Sequence, residues 1–370
     1  MRTDLFDFEL PPERIAVRPA CPRDSARLLV IRPHAREQLA DKIVSDLPDL
    51  LRPGDAIVVN DTRVIPARLS GHRASGATHP KIETMLHKRL DERRWLAFAR
   101  PAKKLSVNDT LSFVPSARDD QRVLEATVDA KGLGGEVTLT FNQSGTDLDD
   151  LIRQLGVMPL PPYIASRRAV DAHDATDYQT LFAQNDGSVA APTAGLHFTN
   201  DLLSRLSERG VSIEQITLHV GAGTFLPVHA EDTTQHKMHS EWAVISEDTA
   251  ARLNAARSAG GRILAVGSTS LRVLESATGS DGVVRPFEGN TDIFITPGHR
   301  FKSADLMLTN FHLPRSTLFM LVAAFCGLTV MQSAYAHAIA AGYRFYSYGD
   351  ACLLYRNDAL LPNGGIDSIV

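Results

Sequence analysis

The sequence predicts an α/β protein: a largely parallel sheet with helices on both faces, interrupted by a small antiparallel β domain. Three observations predict it. A chain of 370 residues is long for one ordinary compact core and fits two domains. From about residue 146 onward, apolar runs of strand length alternate with stretches of helical periodicity, the pattern of a sheet with crossover helices. Between about 61 and 145, short strand-like runs follow one another through turn residues with no helical pattern. That spacing suits a small barrel or sandwich.

The elements follow in order. The first 60 residues are loop-rich, with a strand expected at 28–31 and a helical turn near 45–51. Pro53-Gly54-Asp55 then turns the chain into the apolar run Ala56–Asn60. Strands are expected at 64–72, 82–87, 95–100, 110–114, 123–130 and 136–141. Several alternate apolar with polar residues, as in Val123-Leu124-Glu125-Ala126-Thr127-Val128. A helix over 146–155 has a capping-box-like start at Asp149 and a stop at Gly156. Pro159-Leu160-Pro161-Pro162-Tyr163 must be an extended or turning loop. The next helix starts at Thr199, puts Leu202, Leu203 and Leu206 on one face, and stops at Gly210, before a strand at 216–220. A helix over 246–259 ends at Gly260-Gly261 and leads to a strand at 263–266. A helix at 268–277, strands at 292–295 and 306–310, helices at 316–326 and 330–341, and a strand at 343–348 complete the chain. The expected organisation is therefore an α/β domain of residues 1–60 and 146–354, an inserted β domain at 61–145, and a C-terminal tail at 355–370.

Composition bounds the function. Hydrophobic residues make up 44%, as in globular proteins. The start lacks the apolar stretch of a signal peptide, and the longest apolar run, 318–326, is far short of the roughly 20 residues that cross a membrane. A soluble, cytoplasmic protein with no membrane partner is expected. Cys21, Cys326 and Cys352 stand alone, poor material for disulfides or a zinc site. A net charge of −4 does not advertise a nucleic-acid binder, yet a local basic face can hold RNA on an acidic protein. Lys81, Lys88, Arg89, Arg93, Arg94, Arg100, Lys103 and Lys104 gather in the β-rich segment and are candidates for such a face.

Ligands of α/β sheets bind beyond the carboxyl ends of the strands, and the loops there carry the candidate chemistry. Thr217-Leu218-His219-Val220-Gly221-Ala222-Gly223-Thr224-Phe225 is a strand entering a glycine-rich loop, where Gly221 and Gly223 permit close backbone approach. Ala265-Val266-Gly267-Ser268-Thr269-Ser270-Leu271-Arg272 runs from strand to helix start, a place that favours anions. Pro192-Thr193-Ala194-Gly195-Leu196-His197-Phe198 is a small-residue loop ahead of a helix cap. Met238-His239-Ser240-Glu241 spaces a histidine and a carboxylate so that both face one side of a strand, a candidate proton-transfer pair. His236 stands close enough to join them at a metal, but no metal motif is present and no metal is expected. Thr309-Asn310-Phe311-His312-Leu313-Pro314 and Ser347-Tyr348-Gly349-Asp350-Ala351 each end an expected strand with polar groups.

These motifs, preceded by Asn60-Asp61-Thr62-Arg63-Val64-Ile65-Pro66-Ala67-Arg68, occur in one order from Phe8-Glu9-Leu10-Pro11 to Asp350. In that order they closely resemble the S-adenosylmethionine:tRNA ribosyltransferase-isomerase family of the queuosine pathway. Ala323 stands where the family is expected to have Ser, and the tail after Leu354 lies outside the resemblance. The resemblance implies an α/β domain interrupted by a small antiparallel β-barrel domain. It also implies the reaction. The ribosyl part of S-adenosylmethionine passes to the exocyclic amine of 7-aminomethyl-7-deazaguanine in the tRNA anticodon and is isomerised, giving epoxyqueuosine-tRNA, adenine and methionine. S-adenosylmethionine is then a consumed substrate, and no cofactor is expected.

That chemistry needs a base for the carbon beside the sulfonium, an acid for departing adenine, and a means to steady a cation. His219 or His239 is the expected base, with Glu241 orienting it; His312 and Asp350 are candidates for the acid or for sugar hydroxyls. Phe198, Phe225 and Phe311 are candidates to face the sulfonium. Ser268, Thr269 and Arg272 are candidates for the methionine carboxylate. Arg63, Thr193, His197, Gly221, Gly223, Thr224 and Asn310 complete the expected binding set. A monomer is expected. Two other readings compete: an S-adenosylmethionine-dependent RNA methyltransferase, which releases S-adenosylhomocysteine, and a non-catalytic RNA-binding protein, which consumes no S-adenosylmethionine.

Overall fold

A computed structural model describes residues 1–74, 79–113, 123–221, 231–236 and 238–360. Before the barrel come β1 (Arg27–Ile31), β2 (Leu39–Ile43), β3 (Ala56–Asn60) and β4 (Thr62–Val64). The barrel strands are β5 (Arg68–Arg73), β6 (Lys81–Arg89), β7 (Arg94–Arg100), β8 (Thr110–Phe113), β9 (Leu124–Lys131) and β10 (Glu136–Phe141). After it come β11 (Asn185–Ser188), β12 (Ser212–Leu218), β13 (Glu241–Ile245), β14 (Ile263–Val266), β15 (Phe287–Thr291), β16 (Leu306–Asn310) and β17 (Ala351–Tyr355).

The large sheet has nine strands in the order β15-β13-β12-β3-β14-β16-β17-β1-β2. It is mixed, which corrects the expectation of a largely parallel sheet. β12, β3, β14 and β16 run parallel, as do β17 and β1. β13, β15 and β2 pair antiparallel, and so do β16 and β17. β1 and β2 are antiparallel because residues 32–38 between them are too few to carry a crossover, whereas β16 and β17 are antiparallel although two helices lie between them. β2 and β13 were not anticipated, and the strands expected at 292–295 and 343–348 are displaced to β15 and β17. The outermost strand β2 is largely exposed, carrying Asp41 and Lys42, while β3, β14 and β16 are buried at every position. Polar edges and apolar centres are how open sheets avoid further pairing.

Alternate residues of the central strands divide between two cores. Leu29, Ala56, Val58, Ala265 and Cys352 join one core with Leu271, Phe319, Met320 and Tyr335. Leu28, Val30, Ile57, Val59 and Val266 join the other with Leu47, Leu202 and Leu206. No single helix among the described residues is long and apolar enough to cross a membrane; the apolar helices Thr317–Cys326 and Leu328–Ala340 meet at 114°.

The six strands β10-β7-β6-β5-β8-β9 close into an antiparallel barrel. Their burial alternates residue by residue, most regularly in β7 and β10, as inward and outward positions of a barrel must. Leu148, Leu151 and Ile152 of helix Gly145–Leu155 pack onto the barrel core. That helix starts after Ser144, and Asp149 pairs with Arg89 at 3.0 Å. The capping role expected for Asp149 is therefore corrected. Gly156 sits where helix and barrel meet: a Cβ there would lie 1.8 Å from the Pro66 carbonyl oxygen.

Candidate active site

The parallel strands β3, β12, β14 and β16 present their carboxyl ends together, and the polar motifs follow those ends. At the end of β3, Asn60 ties two strands: its Nδ2 donates to Leu218 O at 2.9 Å, and its Oδ1 accepts from Leu218 N at 3.0 Å. Beyond β14, Gly267 takes φ +84° and opens helix Gly267–Ala277, so the first-turn N–H groups near Ser268 and Thr269 lie at a cleft. Beyond β16, Phe311 and His312 point opposite ways: Phe311 into the core and His312 into the cleft.

The floor of the cleft is a buried ion pair. Arg272 Nη1 contacts Glu241 Oε2, and the N–H of Gly221 donates to Glu241 Oε1 at 2.9 Å. Arg272 and Glu241 are 5% and 6% exposed, so each relies on the other for charge neutralisation. Arg272 Nη2 and Thr269 Oγ1 are buried without a hydrogen-bond partner among the described residues. Both residues line the cleft, so this wall keeps unused donors for an anion.

Histidines differ in setting. His197 accepts at Nε2 from Asn310 Nδ2 at 3.2 Å, and Asn310 Oδ1 accepts from Thr193 Oγ1 at 3.1 Å. Burial pushes His197 down to about 4. His312 holds Nε2 3.1 Å from Thr309 Oγ1, its N–H donates to Tyr335 Oη at 3.0 Å, and burial pushes it down to about 3. Both imidazoles are neutral near pH 7. His219 Nδ1 lies 2.8 Å from Thr62 Oγ1, whose hydroxyl donates to Ser188 Oγ at 2.9 Å. With the hydroxyl proton on Ser188, donation from His219 Nδ1–H to Thr62 completes the chain, the tautomer in which Nε2 is the acceptor. Burial lowers His219 below its ordinary value, with Asp61 and Asp186 pulling the other way. His239 is exposed and lines both the cleft and an adjoining groove against the barrel.

Of the expected residues, the cleft gathers Thr193, His239, Glu241, Ser268, Thr269, Arg272, Asn310 and His312, with His197 one hydrogen bond behind Asn310. His219 and Gly221 line the groove instead. Gly223, Thr224 and Phe225 lie outside the described residues. Three expectations are corrected. Asp350 is 2% exposed and bound by Arg344 Nη2 at 2.9 Å and the N–H of Arg344 at 2.8 Å, so it holds the turn ahead of β17. Phe198 packs on Phe182, ring centres 5.3 Å apart, and Phe311 sits among Tyr335, Tyr343 and Phe345; neither ring faces the cleft. Arg63 lies at the surface beside Asp186, 3.7 Å away, and lines neither cavity. Sequence reasoning missed Tyr178, Phe294 and Tyr346, which line the cleft. His236, considered above only as a metal ligand, lines it too, set edge-on to Phe294 at 5.2 Å. Among the described residues no group of three His, Cys, Asp or Glu side chains could hold a metal ion.

Comparison with known proteins places the chain. Residues 3–354 match the family model described as queuosine biosynthesis protein. A relative from Afipia carboxidovorans named S-adenosylmethionine:tRNA ribosyltransferase-isomerase is 62% identical over 362 residues, covering 96% of this chain and 99% of the relative. One of the same name from Rhodopseudomonas palustris is 62% identical over 363 residues, covering 97% and 99%. The crystal structure of an S-adenosylmethionine tRNA ribosyltransferase from Thermotoga maritima is 34% identical, covers 95% of this chain and 99% of its own, and superposes with a TM-score of 0.52.

Proposed function

Because the chain belongs to the S-adenosylmethionine:tRNA ribosyltransferase-isomerase family of queuosine biosynthesis, we propose that its cleft carries out that reaction on 7-aminomethyl-7-deazaguanine in the tRNA anticodon. The ribosyl group is transferred and isomerised to give epoxyqueuosine-tRNA, and adenine and methionine leave. S-adenosylmethionine is consumed as a substrate and no cofactor takes part. The substrate RNA assigns the protein to the cytoplasm, and one chain supplies the cleft.

One observation carries the reading: buried, unused donors, Arg272 Nη2 and Thr269 Oγ1, stand at a helix start beside the buried carboxylate Glu241. A zwitterionic amino acid with a neighbouring sulfonium suits such a wall. The first-turn N–H groups and Arg272 meet the methionine carboxylate. Glu241, held by Arg272 and Gly221, stands on the cleft floor to meet the cation, and Phe294 lines the same cleft.

His239 is the base assigned to the carbon beside the sulfur, because it alone of the two candidate bases reaches the cleft. His219, whose ring lies on Trp242 at the groove, is assigned to holding that wall in place for the nucleobase. His312 is too weakly basic to arrive as an imidazolium and serves as a neutral hydrogen-bonding group for adenine or the sugar. Incubation with S-adenosylmethionine and tRNA bearing the aminomethyl base tests the reading. Free adenine and methionine support it, and S-adenosylhomocysteine supports a methyltransferase. Replacing His239 by Ala should slow adenine release by about a hundredfold or more.

A further inference from the structure

The groove beside the cleft is built from both units of the fold. Its barrel side is the end of β6 and β7, and its sheet side is the turn after β12 and the start of β13. Each side supplies a flat stack. On the barrel, the ring of His87 lies on Phe98, centres 4.5 Å apart and planes 19° from parallel. On the sheet, His219 lies on Trp242 at 5.3 Å and 17°.

His87 is placed there by an irregularity. The register of β6 on β7 shifts between Leu86 and Lys88, so His87 is the extra residue of a β-bulge. Bulges re-aim a side chain and are common beside active sites. His87 Nε2 is buried and lies 3.1 Å from Glu136 Oε2, which holds the ring in place. Burial lowers its basicity below the ordinary histidine value, with Glu136 pulling the other way and His239 adding to the lowering. Trp242 is 38% exposed, unusual for so large an apolar ring in a strand. The groove and the cleft share His239 and Glu241 as a common wall, and the backbone of His87 lies close to Gly221.

The geometry points to this groove as the seat of the extruded nucleobase: a purine-like ring from a single-stranded RNA loop, stacked between Trp242 and the His87 face of the barrel. Unpaired RNA bases are held by such aromatic and imidazole faces. A base seated there has its substituents turned to the shared wall, the one place from which it reaches a molecule in the cleft. The inference rests on the reaction proposed above and adds to it which barrel face meets RNA and which residues position the base.

The test measures binding and turnover separately. An anticodon stem-loop carrying the aminomethyl base is titrated by fluorescence anisotropy against wild type, Trp242→Ala, Trp242→Phe and His87→Ala, with thermal melts alongside. Trp242→Ala and His87→Ala should each weaken Kd by about tenfold, and Trp242→Phe should recover most of the loss. Melting temperatures should stay near wild type, and the KM for S-adenosylmethionine should change less than about twofold, since that substrate occupies the cleft. Kd values within about twofold of wild type in both alanine variants, or equal losses for RNA and S-adenosylmethionine, overturn the assignment. Wild type that fails to bind the stem-loop also overturns it. Wild type that binds the stem-loop tightly but frees no adenine refutes the proposed reaction instead, and the variant Kd values still decide this groove.

Discussion

Glu241 and Arg272 are the most exacting pair of side chains in the molecule. Each is buried, and each leaves the other as an uncompensated charge if removed. Glu241→Ala should cost about 3–5 kcal/mol of stability, measured by urea unfolding. Arg272→Lys should not preserve turnover, because an ammonium carries its donors on one nitrogen and cannot span Glu241 and the cleft as the two Nη atoms of the guanidinium do. Buried histidines give a pH signature. His197 and His312 have folded values near 4 and 3, below the ordinary value of about 6.5. The unfolded chain therefore takes up protons first as pH falls. Their stabilisation is complete above about pH 6.5 and is lost progressively down toward about 3 to 4. Unfolding free energy should fall between pH 7 and pH 4.5, and His312→Gln should flatten that slope; an unchanged slope in the variant would place the linkage elsewhere. At this scale the motifs pointed to residues that gather at one cleft but not to the direction of their side chains. Phe311 and His312 are neighbours in one motif, and only packing decides that the ring enters the core and the imidazole the cleft.

At the scale of elements, two glycines show what sequence periodicity conveys and what it hides. Gly156 was legible as a helix stop, but its φ of −79° needs no glycine. The close approach to Pro66 does, and that contact joins segments far apart in sequence. Gly156→Ala should destabilise the chain by about 3 kcal/mol or more, seen as a lowered melting temperature. Gly187 in β11 has φ +152°, and a Cβ there would meet the His219 ring at 2.7 Å. Gly187→Ala should displace that ring and lower kcat well beyond its effect on stability, which is about 1–3 kcal/mol. Central strands such as β3 and β14 were readable because continuous apolar runs are buried on both sides. β2 and β15 were missed or displaced because edge strands carry polar residues that look like loop.

In the whole molecule, the proposed chemistry lies where the barrel abuts the carboxyl ends of the sheet. The alternating runs between 61 and 145 announced strands, and their closure into a barrel follows from register, which alternation alone does not specify. The mixed order of the sheet was hidden for the same reason: direction is set by how β17 returns beside β16, not by the apolar content of either strand. The cleft residues come from β13 and β16, from the segments after β11, β12, β14, β15 and β16, and from Tyr178, Tyr346 and Ser347, so no one motif alone points to the cleft and only the ordered set does. The central claim is that this cleft removes a proton from the carbon beside a sulfonium and passes the sugar to an anticodon base. The most direct test supplies S-adenosylmethionine bearing two deuterium atoms on that carbon, with tRNA carrying the aminomethyl base, and weighs the product nucleoside. The expected product is a nucleoside heavier by the rearranged sugar and holding a single deuterium, with one adenine freed per event. An unaltered nucleoside mass, or a product that keeps both deuterium atoms, would contradict it.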